Sequence, residues 1–138
     1  MTINYWAVLV CSILALVFEV VWYGPIFGKA WMKVVNMDAQ TEEKRKEMRK
    51  GMWTPMLVTL LLTLFQVWVL AYYIAGWKDA SGVENALWIW AAFVMPTVAA
   101  SAMWTADEKK VKWSRFLLQA GCQLVLFAAF GYILGTWK

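Results

Sequence analysis

Four stretches of this chain run for twenty residues or more with at most one charge. They are 5–24, where Glu19 is the single charged residue, and 54–77, 85–104 and 116–137, which have none. A bilayer core about 30 Å thick is crossed by about 20 helical residues rising about 1.5 Å each. The runs are continuous, whereas a barrel strand alternates over about 10 residues, so strands are disfavoured. They use most of the 138 residues and leave no length for a soluble domain between them. The expected fold is all-α: one integral membrane four-helix bundle over 1–138, with spans at about 5–24, 54–77, 85–104 and 116–137.

Composition closes the other routes. The chain is 62% hydrophobic and 16% charged, against about 45–50% and 25% for a globular domain. A soluble fold this short cannot hide so much apolar surface. A disordered chain and a disulfide-stapled scaffold are excluded on the same count. The first run is not a cleaved leader by its pattern: 1–5 carries no Lys or Arg, and the run ends in Trp22, Tyr23, Gly24 and Pro25 in place of small residues.

Charge sets the orientation. Lys29, Lys33, Lys44, Arg45, Lys46, Arg49 and Lys50 lie between the first two runs, and Lys109, Lys110, Lys112 and Arg115 between the last two. The opposite side holds Lys78 and Lys138 alone. The positive-inside rule then places both basic loops in the cytoplasm of a bacterial inner membrane and both termini outside. Anionic headgroups at the inner face are the expected partner of these cations. Nucleic acid is not, because the cations flank spans and form no separate basic domain. Ten of the 11 Trp fall near the ends of runs, where indole rings anchor at the membrane interface, and Trp68 alone sits at mid-span.

After Gly24 and Pro25 end the first run, Phe27, Ala30, Trp31 and Val34 recur at helical spacing, with Lys29 and Lys33 on another face. This predicts a short helix lying in the interface. A solvated helix is expected over 41–50, supported by Glu42/Lys46, Glu43/Lys46 and Glu47/Lys50 and capped by Gly51, with Thr54 and Pro55 opening the second span. Pro96 predicts a kink in the third span, with Thr97 and Ser101 as partners for the freed carbonyl.

Each span also carries a polar stripe. Ser12 and Glu19 share a face with Cys11 and Ala15; Thr59, Thr63 and Gln66 follow at i, i+4, i+7; Thr97 and Ser101, and Gln119 and Gln123, are four apart. By helical rise Glu19 lies about 7.5 Å inside its span, Thr59 about 7.5 Å, Ser101 and Gln119 about 4.5 Å and Gln123 about 10.5 Å. These residues form the expected intramembrane cluster, with Arg115 reaching in from the boundary. A carboxylate in a span marks a functional site by default, and interhelical hydrogen bonding is the plainer use of the same groups. Gly131 and Gly135 form a GxxxG that predicts close helix approach, within the chain or toward a second copy or a larger membrane complex.

Catalytic chemistry has no visible carrier. There is no His, Cys11 and Cys122 lie in different spans, and no phosphate loop or nucleophile motif occurs. No cofactor, metal or disulfide is expected. The leading expectation is a non-enzymatic accessory or assembly component of a membrane. The alternative is a small proton-coupled transporter or channel using Glu19.

Three stretches carry a family resemblance: 4–10 (NYWAVLV), 22–32 (WYGPIFGKAWM) and 131–137 (GYILGTW). They resemble the bacterial family of domain of unknown function 1761, small four-span membrane proteins, over essentially the whole chain. The resemblance implies the topology and no activity. It also implies a small residue at position 19, so a role for Glu19 belongs to this chain and not to the family pattern.

Overall fold

The structure, a computed structural model, describes residues 2–36 and 40–137; Met1 and Lys138, both read above, lie outside them. Helix α1 spans Tyr5–Val21 and runs into a π-helical turn at Trp22–Ile26. Helix α2 follows at Gly28–Val34, α3 at Glu42–Lys50 and α4 at Trp53–Gly76. The third span is α5 (Gly82–Ile89), a second π-helical turn (Trp90–Val94) and α6 (Met95–Met103), and α7 (Lys109–Thr136) closes the chain. Four segments are long and apolar enough to cross a membrane: Tyr5–Ile26, Trp53–Gly76, Gly82–Met103 and Lys109–Thr136. The protein is an all-α membrane bundle with a short interfacial helix after its first span.

Local chemistry explains most of the helix ends. The Asn4 side chain accepts from the backbone N–H groups of Trp6 and Ala7, satisfying orphan donors of α1. The Asn4 amide also donates to the Trp137 carbonyl at 3.4 Å, so the two ends of the chain meet at one end of the bundle. That end is called here the terminal end, and the opposite one the basic end. Thr41 caps α3 and Ser81 caps α5 through their hydroxyls. Helix α4 begins at Trp53 behind Met52, so Thr54 and Pro55 sit inside its first turn and Thr54 is not the cap. Helix α7 begins well before its apolar run, because Glu108 starts it and the basic stretch continues it. On α3, Glu42 pairs with Arg45 and Arg49 in place of Lys46.

The Pro96 kink is absorbed by the π-helical turn ahead of it. There the Met95 N–H reaches back five residues to the Trp90 carbonyl. Thr97 donates to the Phe93 carbonyl one turn back at 2.6 Å, which is not the carbonyl four or five residues before Pro96 that its missing N–H frees, and Ser101 is exposed on α6. Pro25 sits in the other π-helical turn, closed by the Phe27 N–H on the Trp22 carbonyl at 3.0 Å.

Helix α7 is the bundle's axis, touching α1, α2, α4, α5 and α6. Its tightest seam is with α5. A Cβ on Gly131 would fall 2.8 Å from the Val83 Cα and 2.9 Å from the Ala86 Cβ, and one on Gly135 would fall 3.2 Å from the Gly82 Cα. The GxxxG therefore serves a contact inside the chain, with Gly82 as its counterpart. Nearby, buried Asn85 donates to the carbonyls of Trp77 and Ala80 and ties down the connection between the second and third spans.

Candidate functional site

On α1 the small residues Cys11, Ser12 and Ala15 are buried, which lets α4 and α7 approach closely. Ser12 spends its hydroxyl on the Val8 carbonyl at 2.8 Å. One turn beyond Ala15 the same face carries Glu19, half-buried. The Gln123 side chain of α7 lies beside the Glu19 carboxylate. A further turn along, the Tyr23 side chain lies beside Cys122, so polar side chains of α1 and α7 face each other at two adjacent levels. Cys11 and Cys122 are both free and buried.

Glu19 lies on the floor of a crevice of about 730 Å³. The floor comes from α1 and α7, with Ala15, Gln123, Leu126 and Phe127 beside the carboxylate. One wall is α4, whose whole predicted stripe, Thr59, Thr63 and Gln66, faces the cavity together with Phe65 and Tyr73. The other wall is the third span at its π-helical turn, through Ile89, Phe93 and Val94. The rim is open: Leu62, Phe65 and Phe93 are 64%, 63% and 71% exposed. In a bilayer that opening faces acyl chains. Among the described residues Glu19 is the one charged group lining this space.

The predicted cluster is thus brought together in part. Glu19, Thr59 and Gln123 share the crevice; Ser101 and Gln119 do not line it. Depth had put Gln119 and Ser101 near Glu19, but depth says nothing of direction around a helix axis, and the cavity ends before their level. Arg115 does not reach toward Glu19. Its guanidinium grips Asp107 at 3.0 and 3.3 Å and donates to the Val34 carbonyl at 3.1 Å. The physical reason is proximity of better partners: an ionised carboxylate and an orphan helix-end carbonyl both lie at the basic end.

Sequence reasoning missed Tyr23 and Cys122 as polar neighbours, because aromatic and thiol side chains in a span read as packing. It also missed the inward use of two tryptophans. Trp22 and Trp90 donate their indole N–H groups to the carbonyls of Leu118 and Ala120 on α7, each at 3.1 Å. Trp53, Trp88 and Trp104, by contrast, are 75% exposed or more, as interface anchors are.

Among the described residues, no group of three His, Cys, Asp or Glu side chains could hold a metal ion. What the arrangement offers chemically is a single carboxylate beside one amide, at the base of an aromatic-walled slot open to lipid. No curated protein and no solved structure matches the chain. The model of a family described as a protein of unknown function, DUF1761, matches residues 6–135, and the chain belongs to that family.

Proposed function

We propose that the protein is a small proton-coupled carrier in which Glu19 holds either a proton or a cation that has an apolar body. The observation that carries this reading is the crevice: one carboxylate, no cationic side chain in the lining, and an open side toward lipid. A charge in a membrane segment is expensive, and Gln123 alone does not neutralise it. The carboxylate is satisfied by a proton when the slot is empty and by a cation when it is filled. Phe65, Tyr73 and Phe93 offer ring faces to such a cation, and the volume suits a drug-sized occupant. The reading contains no bond-making step and needs no enzyme chemistry.

The working orientation is that expected from charge, with the basic end in the cytoplasm and both termini outside. A reporter fused after Lys138 is then active on the outer face only, and one fused near Lys46 on the inner face only.

The direct test uses proteoliposomes holding a trapped pH dye. Under an imposed pH gradient, added methylammonium or tetraphenylphosphonium should speed proton movement with the native protein and not with Glu19→Gln, whose melting temperature stays unchanged. Equal proton movement by both proteins removes the carrier reading and leaves the accessory role that the chain's lack of catalytic residues suggests.

A further inference from the structure

A carboxylate that exchanges protons needs an aqueous side, and the crevice supplies only a lipid one. Toward the terminal end Glu19 is backed by the packed residues Ala15, Ser12 and Cys11. Toward the basic end lies Tyr23, one helical turn or about 6 Å away. Tyr23 does not line the crevice. Its side chain lies beside Cys122, the neighbour of Gln123, so the short path from Glu19 to the basic end passes side chains that carry or bond protons. The titratable groups around Glu19 are Tyr23 from α1, Cys122 from α7 and Tyr73, which lines the crevice from α4 together with the neutral Thr59, Thr63 and Gln66; the third span's lining residues carry none.

This path has a cover. The ring of Trp31, on α2, sits 4.5 Å from the ring of Tyr23 at 51°. Helix α2 is a separate seven-residue piece. It is set off from the first span by Phe27, which is not helical, and is followed by Asn36 in the left-handed region at φ 58°. It is held down at one end by Phe27 against Trp22, with ring centroids 4.6 Å apart. At the other end the last carbonyl of the helix, on buried Val34, accepts from Arg115. A cation at the carbonyl end of a helix is favourable for the helix dipole as well. Arg115 is itself fixed in place by Asp107, so α7 presents a preset donor to α2.

We infer that α2 is a gate on the proton route to Glu19: Trp31 over Tyr23 closes it, and release of Val34 by Arg115 opens it. This rests on the carrier reading for its purpose, since Glu19 must be the exchanging group, but the gate itself is a property of α2. A seven-residue cover with Val34 as its one buried residue, held by Phe27 on Trp22, Trp31 on Tyr23 and Arg115 on the Val34 carbonyl, is a short unit of the kind that opens locally. It also gives the two sides of Glu19 different access, lipid through the crevice and water through the gate.

Cys122, buried behind Tyr23, is a native reporter for opening. The test uses the full chain with Cys11→Ala in lipid nanodiscs and a water-soluble, permanently cationic methanethiosulfonate, which does not enter through lipid. With α2 intact, Cys122 should label slowly. Trp31→Ala and Arg115→Gln should each label about tenfold faster, with unchanged helicity and unchanged elution volume. Arg115→Lys, which keeps the charge and loses the fork that grips Asp107 and Val34 together, covers the case in which Arg115→Gln does not fold, and should label about threefold faster. A second readout follows the infrared carboxyl band of protonated Glu19, assigned by its loss in Glu19→Gln. In Tyr23→Phe, which keeps the stack on Trp31 and loses the hydroxyl, hydrogen–deuterium exchange at that band should slow about tenfold. Labelling rates that do not change in folded Trp31→Ala and Arg115→Lys overturn the gate, and an exchange rate unchanged in Tyr23→Phe removes Tyr23 from the route. Neither measurement needs a transported cation or a gradient. Proton flux lost with labelling accelerated removes the carrier and keeps the gate; the reverse pair of results keeps the carrier and removes the gate.

Discussion

The seam between the third and fourth spans is closed, while the space between the second and third is open, and both lie between strongly apolar helices. The difference lies in side-chain size at the contact. Along the seam Gly82, Gly131 and Gly135 bring two backbones together with Ala86 filling the remaining space. Along the crevice α4 presents Leu62, Phe65 and Val69 toward Ile89 and Phe93. In water such a gap would collapse, because burying its apolar walls is favourable. In lipid there is no such drive, since acyl chains solvate those walls as well as neighbouring helices do. Helices in a membrane close where small residues allow dispersion contacts at short range, and a slot between bulky residues persists. The carboxylate sits on the open side of that division.

The sharpest way to break the comparison is to fill the seam. Leu at both Gly131 and Gly135 forces backbone apart from backbone, because the Val83 Cα and Ala86 Cβ already lie inside the distance a Cβ tolerates. A loss of about 3 kcal/mol or more is expected from overpacking of this severity, read as thermal unfolding in detergent. Unchanged stability would mean that the seam is not what holds the closed half. Next in size is Asn85→Leu. Its amide donates to the Trp77 and Ala80 carbonyls, and removing it takes the donor from two part-buried acceptors in the connection between the spans. About 1 kcal/mol of destabilisation is expected from the lost pair.

The open half should answer weakly. Phe93 lines the crevice and is 71% exposed, so Phe93→Ala leaves a larger slot and no stranded group. A change within about 0.5 kcal/mol is expected, as for other exposed positions. A drop as large as that of Asn85→Leu would show that the crevice is filled and packed in the membrane, for example by a second copy of the chain.

Much of this division could be read from residues, and the unread part has physical causes. The spans were legible because a bilayer imposes a length, and the glycine pair because close approach needs missing side chains. Its partner Gly82 was not, since it stands just ahead of the uncharged run that begins at 85 and reads as loop. The kink at Pro96 was legible, but its absorption by a π-helical turn at Trp90–Val94 depends on Trp90 finding the Ala120 carbonyl across the bundle. The stripe on α4 was placed on one face by spacing, and all of it lines the crevice. Arg115 was misplaced because reach and charge pointed to Glu19, while Asp107, just ahead of α7, folds back to a shorter distance. Spacing gives the face within a helix; only packing gives the direction of that face.

The smallest effect bears most closely on what Glu19 is for. Its one polar partner on α7 is Gln123, across the floor of the open half. Glu19→Gln keeps the side-chain shape and an oxygen that can still accept from Gln123, so stability should stay within measurement error. Glu19→Ala removes the contact and leaves the Gln123 amide facing the crevice. Interhelical hydrogen bonds of this kind contribute about 0.6 kcal/mol on average in membranes, so the difference between the two variants should be about that size. Thermal unfolding of both, in one lipid and at one pH, measures it. A difference several times larger would make Glu19 a fastener joining α1 to α7, and the open half would then be held together by the same group proposed to exchange protons there. A difference near the average leaves the carboxylate structurally dispensable on the floor of its crevice. A carboxylate that contributes so little to the fold is then free for the exchange proposed for it.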